Sequence, residues 1–426
     1  MSVQTEIDRI ITAVTNAHMK VLAKGGTTAE PYLVANLEGA IDTIPKANTP
    51  AVVEEKDVNF WDYDGTLLYS YTLKEAQALT ELPSGPDWHE YLIFNSWNWT
   101  ISEVAAIDAP ADIGALYNTE DEATFIYLDI IEPLNSTVVL NVSGNPDIEW
   151  GDGDSDAAAS TGISHTFGVT GRFVIKIIGS HTIGGGTAAP LVSTGFQNVT
   201  SVLVDLNRSC APYCCQDFNS LVKTTISRNI KGALKNCRRL KFYVLSVNHI
   251  DVEQFYSCQS LRLISFPAAP NLIQSQGVRG CASLQRINNK HTLTSDGYIM
   301  MSCYSIDEIH IRNAAAAYCA HSCYSARKIV VHEGVTTIGV LAFYNCISAE
   351  FVSIASTVTS IGAQAFYNNT KVKRLVFLPE TPPTVADANA FYGISSDCVV
   401  QVPAASLTTY QEATNYSGIA ARMVGV

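Results

Sequence analysis

The chain has 426 residues, with 27 Lys and Arg against 40 Asp and Glu, a formal charge of −13. Hydrophobic residues make up 47% and charged residues 16%, which excludes global disorder and leaves too little charge for a coiled coil or helical bundle throughout. A length of this kind allows about two to four domains, and the many Tyr, Ser, Thr, Val and Ile lean toward β structure.

The charge is divided unevenly. Residues 1–195 carry 27 acidic and 8 basic side chains, net −19, and residues 196–426 carry 13 and 19, net +6. Such a split implies regions with different partners, and the overall acidity argues against nucleic-acid binding, which rests on phosphate neutralisation. The start MSVQTEIDRI is acidic and amphipathic where a secretory signal needs a basic start and an apolar run. The longest uncharged stretch, Ile177–Val204, is broken by glycines and Pro190, so no membrane insertion is expected. None of the 11 cysteines precedes Cys210; they are read as mostly reduced, buried thiols of a cytosolic environment.

Residues 4–23 carry Ile7, Ile10, Ile11, Val14, Val21 and Leu22 at helical spacing, with His18 on the same stripe. Gly25-Gly26 ends this helix, and a second places Leu33, Leu37 and Ile41 on one face. Two such helices cannot build a core alone, so residues 1–50 are expected to pack on copies of themselves or on another protein. The helix, the GG break and the IDTIP end resemble the amino-terminal region of tail-associated proteins of phages and prophages of Firmicutes.

From Asp57 the pattern alternates, and Asp64-Gly65 stands between apolar runs, a hairpin signal. A short helix (Leu73 to Leu79), two prolines and the strand YLIFNSWNW follow. Residues 51–112 resemble the Listeria–Bacteroides (internalin B-type) repeat, which implies a small β-grasp-like module with Tyr91, Phe94 and Trp97 in the aromatic positions and Glu90 where that family has Gly. Trp88, Trp97 and Trp99 are read as core and rim residues. Asp62-Tyr63-Asp64-Gly65-Thr66-Leu67 also matches the DxDGTL motif of haloacid-dehalogenase phosphatases, whose first Asp is a nucleophile. That chemistry needs a doubly wound domain, which the following sequence does not supply, so the motif is read as a hairpin and the chain as a non-enzyme with no catalytic residues.

Strand-like runs TFIYLDII, STVVLNV, DIEW and RFVIKII surround Trp150-Gly151-Asp152-Gly153 and His165-Thr166-Phe167. Residues 113–180 resemble the polycystic-kidney-disease (PKD) β-sandwich, which implies a tight GDG turn and a structural His165. Asp152, Asp154 and Asp156 have the D-x-D-x-D spacing of a Ca²⁺ loop, but Ala157 and Ile163 replace the Gly and Glu such a loop requires; no metal and no cofactor is expected. Residues 181–195 read as a Gly-rich linker.

Residues 196–426 read as a solenoid of about eight repeats. Cys215, Cys237, Cys258, Cys281, Cys303, Cys323 and Cys346 are spaced by 22, 21, 23, 22, 20 and 23 residues, and Asn369 continues the series. Apolar residues three positions later, from Leu240 to Val372, and aromatic pairs such as Phe343-Tyr344 and Phe366-Tyr367 keep the same phase. Units this small must stack to bury their apolar faces. The unit resembles the BspA-like leucine-rich repeat.

The fold class expected is therefore mainly β and multidomain: N-terminal helices, a β-grasp-like module, a PKD-like sandwich and a leucine-rich-repeat solenoid. The resemblances imply a phage virion (tail) protein, likened to a tail or baseplate fibre, made in the bacterial cytoplasm and homo-oligomeric. Residues 1–50 would contact other virion proteins, and the solenoid a bacterial surface glycopolymer or protein. A BspA-like cell-surface adhesin is the alternative. The candidate binding surface comprises Lys235, Arg238, Arg239, Lys241, Lys371, Lys373, Arg374 and the aromatics Tyr304 and Tyr324. Strand alternation places Lys371 and Lys373 on one side and Arg374 on the other.

Overall fold

The computed structural model describes residues 57–132, 137–157, 161–184, 189–268, 271–287, 291–293, 297–312 and 315–426. The helices expected in residues 1–50, with His18, lie outside these. Among the described residues no helix is long and apolar enough to cross a membrane.

The first module is a four-stranded sheet with β1 (Val58–Trp61), β2 (Leu67–Tyr71), β3 (Leu92–Trp97) and β4 (Ala111–Thr119) in the order β2-β1-β4-β3. β1 and β4 pair in parallel, and both outer pairs are antiparallel. Two short helices, α1 (Leu73–Gln77) and α2 (Ile101–Ala105), each begin with a Thr–Glu capping box, Thr72 with Glu75 and Thr100 with Glu103. This is the β-grasp-like arrangement, but the boundary expected at residue 112 falls inside β4, because the central parallel partner of β1 is supplied by residues 111–114.

The DxDGTL segment is the expected hairpin turn. Asp62 N–H donates to the Thr66 carbonyl at 2.8 Å, and Gly65 takes a φ of +89°, a conformation glycine adopts without the Cβ penalty. The Asp62 carboxylate is 3% exposed and accepts from Tyr117 Oη at 2.5 Å and Tyr63 N–H at 2.7 Å, with His89 Nε2 at 2.6 Å. It pins the turn to β4 and to the loop before β3.

The sandwich core lies between a six-stranded and a three-stranded sheet. The larger sheet contains β5 (Thr124–Ile130) flanked by Gly171–Ile178 and by Val199–Leu203. The smaller contains Ile163–Thr166, Thr137–Leu140 and Val192–Thr194. Trp150 is fully buried and stacks on His165 at 4.6 Å. His165 in turn meets Asp152 at 2.7 Å, and Trp150 Nε1 donates to Asp156 at 2.7 Å. His165 is thus a structural residue that ties the GDGD turn to the core. The expected limits need correction: Thr182–Ile183 and Val192–Thr194 are sheet strands, so 181–195 is not simply a linker. Val199–Leu203 joins β5 on one side and the first repeat strand, Lys223–Thr224, on the other. Sandwich and solenoid share one sheet and one apolar core.

In the solenoid each coil repeats the same solution. The marking Cys is fully buried, and its Sγ donates to the carbonyl three residues before the mark of the preceding coil, at 2.9–3.4 Å from Cys237 to Cys346. The residue before each mark sits at positive φ, from Asn236 to Asn368, so that its N–H reaches the next coil, as Asn345 does to the Tyr367 carbonyl at 2.9 Å. By this criterion the first mark is Phe218, preceded by Asp217 at φ +67°, and not Cys215. Cys215 occupies the position of Leu234 and Phe255, as its carbonyl accepts from Cys237. Regular spacing suggested Cys215 because the first interval, 218 to 237, is shorter than the others. At the other end, Tyr410 and Tyr416 are buried on Phe377 and donate to the Pro379 and Pro383 carbonyls.

Two measurements test this core. All eleven cysteines are free and all but Cys210 are buried, with burial pushing Cys258, Cys303 and Cys346 up to about 12. Native protein should therefore label at Cys210 first while the others react only on unfolding; rapid labelling of the ladder cysteines would contradict the packing. His181 is 5% exposed, between Thr124 Oγ1 and the Gly179 carbonyl, and burial holds it at about 4, below its ordinary 6.5. The unfolded chain takes up this proton below pH 6.5 and the folded chain only near 4, so the stability is full above 6.5 and lost as pH falls through that window. The shift corresponds to at most about 3 kcal/mol, roughly half after solvent screening. Denaturant titrations from pH 7 to 4.5 should show this loss, reduced in His181→Gln.

Candidate binding surface

The outward face of the solenoid sheet follows from strand alternation. In Glu308–Ile311, Lys328–Val331, Phe351–Ile354 and Arg374–Phe377 every second residue is buried, from Ile309 and Ile311 to Leu375 and Phe377. The parallel register then lines up Glu308, Lys328, Phe351 and Arg374 in one outward row and His310, Val330, Ser353 and Val376 in the next.

The earlier part of the same face is covered. In Phe242–Val244 all three residues are buried, because the first module lies on it. Trp99 Nε1 donates to the Phe266 carbonyl at 2.6 Å, Ser265 Oγ to the Asp112 carbonyl at 2.7 Å, and Asn98 Nδ2 to the Leu245 carbonyl at 3.0 Å. A Cβ on Gly114 would meet Val244 at 2.6 Å, so this approach needs glycine. Trp97 and Trp99 are core residues, as expected, whereas Trp88 is 77% exposed.

The basic candidates do not form one patch. Arg238, Arg239 and Lys241 are exposed on the coil marked by Cys237, and Lys371, Lys373 and Arg374 on the coil marked by Asn369. These coils are six steps apart, roughly 29 Å at the ~4.8 Å strand spacing. Several of the charges are also paired. Lys235 meets Glu253 at 2.9 Å and lies over the Tyr256 ring, Lys373 meets Glu350 at 2.9 Å, and Arg374 covers Phe351 at 4.7 Å. Between the clusters Arg327 holds Asp307 through two bonds of 2.6 and 2.9 Å. The Arg327 guanidinium keeps the Asp307 carboxyl below its ordinary value. Lys373 and Arg374 are both exposed, because the strand begins only at Arg374 and alternation does not extend back to Lys373.

The aromatic candidates do come together. Tyr304 and Tyr324 stack at 5.0 Å with planes 3° apart and remain 42% and 39% exposed. Ile347, 37% exposed, occupies the equivalent position on the next coil. A second ladder, in phase with the aromatic pairs of the repeat, was not among the binding candidates. Tyr344, Tyr367 and Tyr392 stack at 5.0 Å intervals, His321 adds to one end at 4.8 Å, and Arg279 lies over both Tyr256 and Tyr298. Its signal was present: Tyr256, Arg279, His321, Tyr344 and Tyr367 each stand two places before a mark. On the sheet face His310 Nδ1 and His332 Nε2 lie 2.9 Å apart, with Glu308 on the other side of His310. Burial holds both His310 and His332 below their ordinary value.

In the sandwich, ligand atoms of Asp152, Asp154 and His165 lie within 4.8 Å of one another. Asp152 is engaged by His165 and by the Asp154 N–H at 3.2 Å, and the neighbouring Asp156 is engaged by Trp150.

A family model described as the BspA type leucine rich repeat region matches in six copies, over residues 224–318 and 315–419. Among solved structures, a leucine-rich repeat protein from Bacteroides ovatus aligns at 16% identity over 53% of this chain and 66% of that one, with a TM-score of 0.39. A leucine rich cell surface protein from Faecalibacterium prausnitzii aligns at 16% identity over 49% and 64%, with a TM-score of 0.31. The chain thus spans about two thirds of the length of either protein. No curated protein matches the sequence. The coil geometry and the family match agree: residues 224–419 form a BspA-type leucine-rich repeat array.

Proposed function

We propose that this chain is a surface-recognition protein whose array meets a bacterial surface, and that it does so as a structural protein of a phage virion, in the tail. The observation that carries the recognition reading is the open stretch of array beyond the first module, edged by the exposed Tyr304–Tyr324 stack. Stacked aromatics held by a rigid scaffold offer large contact area at small entropic cost, whereas the basic residues are divided between distant coils and Lys235 and Lys373 are paired. The aromatic edge is therefore the binding element, and the charges keep an apolar array solvated.

The virion assignment is favoured by the thiol core. A ladder of buried cysteines suits folding in a reducing cytoplasm, where virion proteins assemble, better than export to an oxidising surface. A BspA-like adhesin is the second reading. Residues 1–50 are proposed to attach the chain to other tail proteins and to copies of itself. No enzymatic role is proposed, because the Asp62 carboxylate already holds three partners.

Mass spectrometry of purified particles should find the chain in tails; its presence only in the cell-wall fraction would favour the adhesin. Tyr304→Ser combined with Tyr324→Ser should weaken attachment of the full chain to host cells at least about tenfold, the loss of roughly 1.4 kcal/mol or more. Attachment should change little across a salt series. A steep salt dependence abolished by changing Lys371, Lys373 and Arg374 to Ser would return the role to the charges. Asp62→Asn should leave phosphatase activity at background with or without Mg²⁺; a Mg²⁺-dependent turnover lost in that variant would refute the non-catalytic reading.

A further inference from the structure

The sheet shared by sandwich and array turns one face toward the first module. On it Tyr127, Ser201 and Lys223 lie side by side, since Ser201 is the register partner of Tyr127 on one strand and of Lys223 on the other. Thr200 is the extra residue of a β-bulge at this point, and its hydroxyl donates to the Tyr127 carbonyl at 3.3 Å. Bulges commonly re-aim side chains beside functional sites. The first module faces this row with Tyr63, His89 and Glu90 without closing on it. The residues of the three modules enclose a cleft of about 370 Å³, within the range of small-ligand sites.

Three observations mark the cleft as built for a ligand. Ser201 is 3% exposed, yet its Oγ has no hydrogen-bond partner; a buried hydroxyl left in that state is destabilising and calls for an explanation. His89 is preset, because Asp62 binds its Nε2 at 2.6 Å while Tyr117 and the Tyr63 N–H hold Asp62. This leaves Nδ1 as its uncommitted nitrogen. Lys223 lies 5.4 Å from the centre of the Tyr63 ring and has no ion-pair partner among the described residues.

We infer that this cleft binds a neutral saccharide unit. A sugar offers an apolar C–H face to an aromatic ring and hydroxyls that both donate and accept. The cleft matches this with the Tyr127 ring, the acceptor Glu90, the donor Lys223, and Ser201 and His89, which complete the hydrogen bonds. One carboxylate and one ammonium cancel in sign, so the site has no net field to select a phosphate or a cation. The inference goes beyond the surface-recognition reading, because it adds a ligand site at the module junction, apart from the array edge.

The test uses the full chain on an array of neutral and acidic glycans, followed by calorimetry with the retained glycan and thermal melts of each variant. A neutral glycan should be retained, and Tyr127→Leu and Lys223→Met should each weaken it at least tenfold while the melting temperature stays near that of the parent. Ser201→Ala should raise the melting temperature, because it removes the unpaired hydroxyl, and still weaken the glycan severalfold. A purely structural Ser201 would raise the melting temperature and leave affinity unchanged. That result, retention of acidic glycans alone, or no retention at all would overturn the inference. Attachment to cells by the Tyr304→Ser, Tyr324→Ser chain is measured in parallel. If that pair abolishes attachment while the junction variants change nothing, the recognition reading stands and the cleft assignment falls.

Discussion

The constraint on which the structure depends is the strand-to-strand spacing of about 4.8 Å. A coil of 19 to 23 residues cannot bury its own apolar side, so each coil lies against the next at that spacing, and every side chain sits on its own equivalent. Position by position, only residues that tolerate such stacking fit. Cys fits at the mark because it is small and apolar and because its thiol reaches the preceding coil's carbonyl. Phe343, Phe366 and Phe391 fit inside because flat rings stack, at 5.2 and 5.8 Å. Even backbone strain is repeated: Tyr298, Tyr318, Leu341 and Gln364 all take positive φ, a cost carried by the inter-coil hydrogen bonds their neighbours and they donate.

A stack of coils has two exposed ends and an exposed sheet face, and the rest of the chain is arranged around these. Val199–Leu203 is at once a sandwich strand and the pairing partner of the first coil, so the array's first edge is not left free for association. The first module then covers the sheet face of the early coils through Trp99, Asn98 and Gly114. What is left open begins near residue 308. The position of the proposed recognition surface follows from where the first module stops, more than from the repeats themselves.

Much of this was legible in the sequence, and the limits have physical causes. The period, the buried cysteines and the Asp-Gly hairpin could be read because each is a local pattern with one dominant solution. Phe218 was missed as the first mark because the decisive property is backbone conformation at Asp217, which spacing does not encode. Module boundaries were placed too early, at 112 and 180, because a strand shared between sheets belongs by sequence to one neighbour and by hydrogen bonding to two. Lys235–Lys241 and Lys371–Arg374 looked like one basic surface because composition carries no distance; the coil count places them at opposite ends. The cleft at Tyr127, Ser201 and Lys223 could not be anticipated at all, since nothing local relates three residues spread over nearly a hundred positions.

The same spacing bears on how the molecule can recognise anything. Along the array, equivalent positions repeat so regularly that charges become ladders and find partners on the adjacent coil, as Lys373 does with Glu350 and Arg327 with Asp307. A regular ladder neutralises itself, and its exposed ion pairs contribute little. Stacked rings behave differently, because Tyr304 and Tyr324 satisfy each other's faces and still leave their edges to solvent. Groups that stay chemically uncommitted are found where the repeat is interrupted. At the bulge of Thr200, where the first coil meets a sheet of a different fold, Lys223 makes no ion pair among the described residues and the Ser201 hydroxyl has no hydrogen-bond partner. Irregularity at the junction is therefore what frees polar groups for a ligand, while regularity in the array leaves mainly shape and aromatic surface.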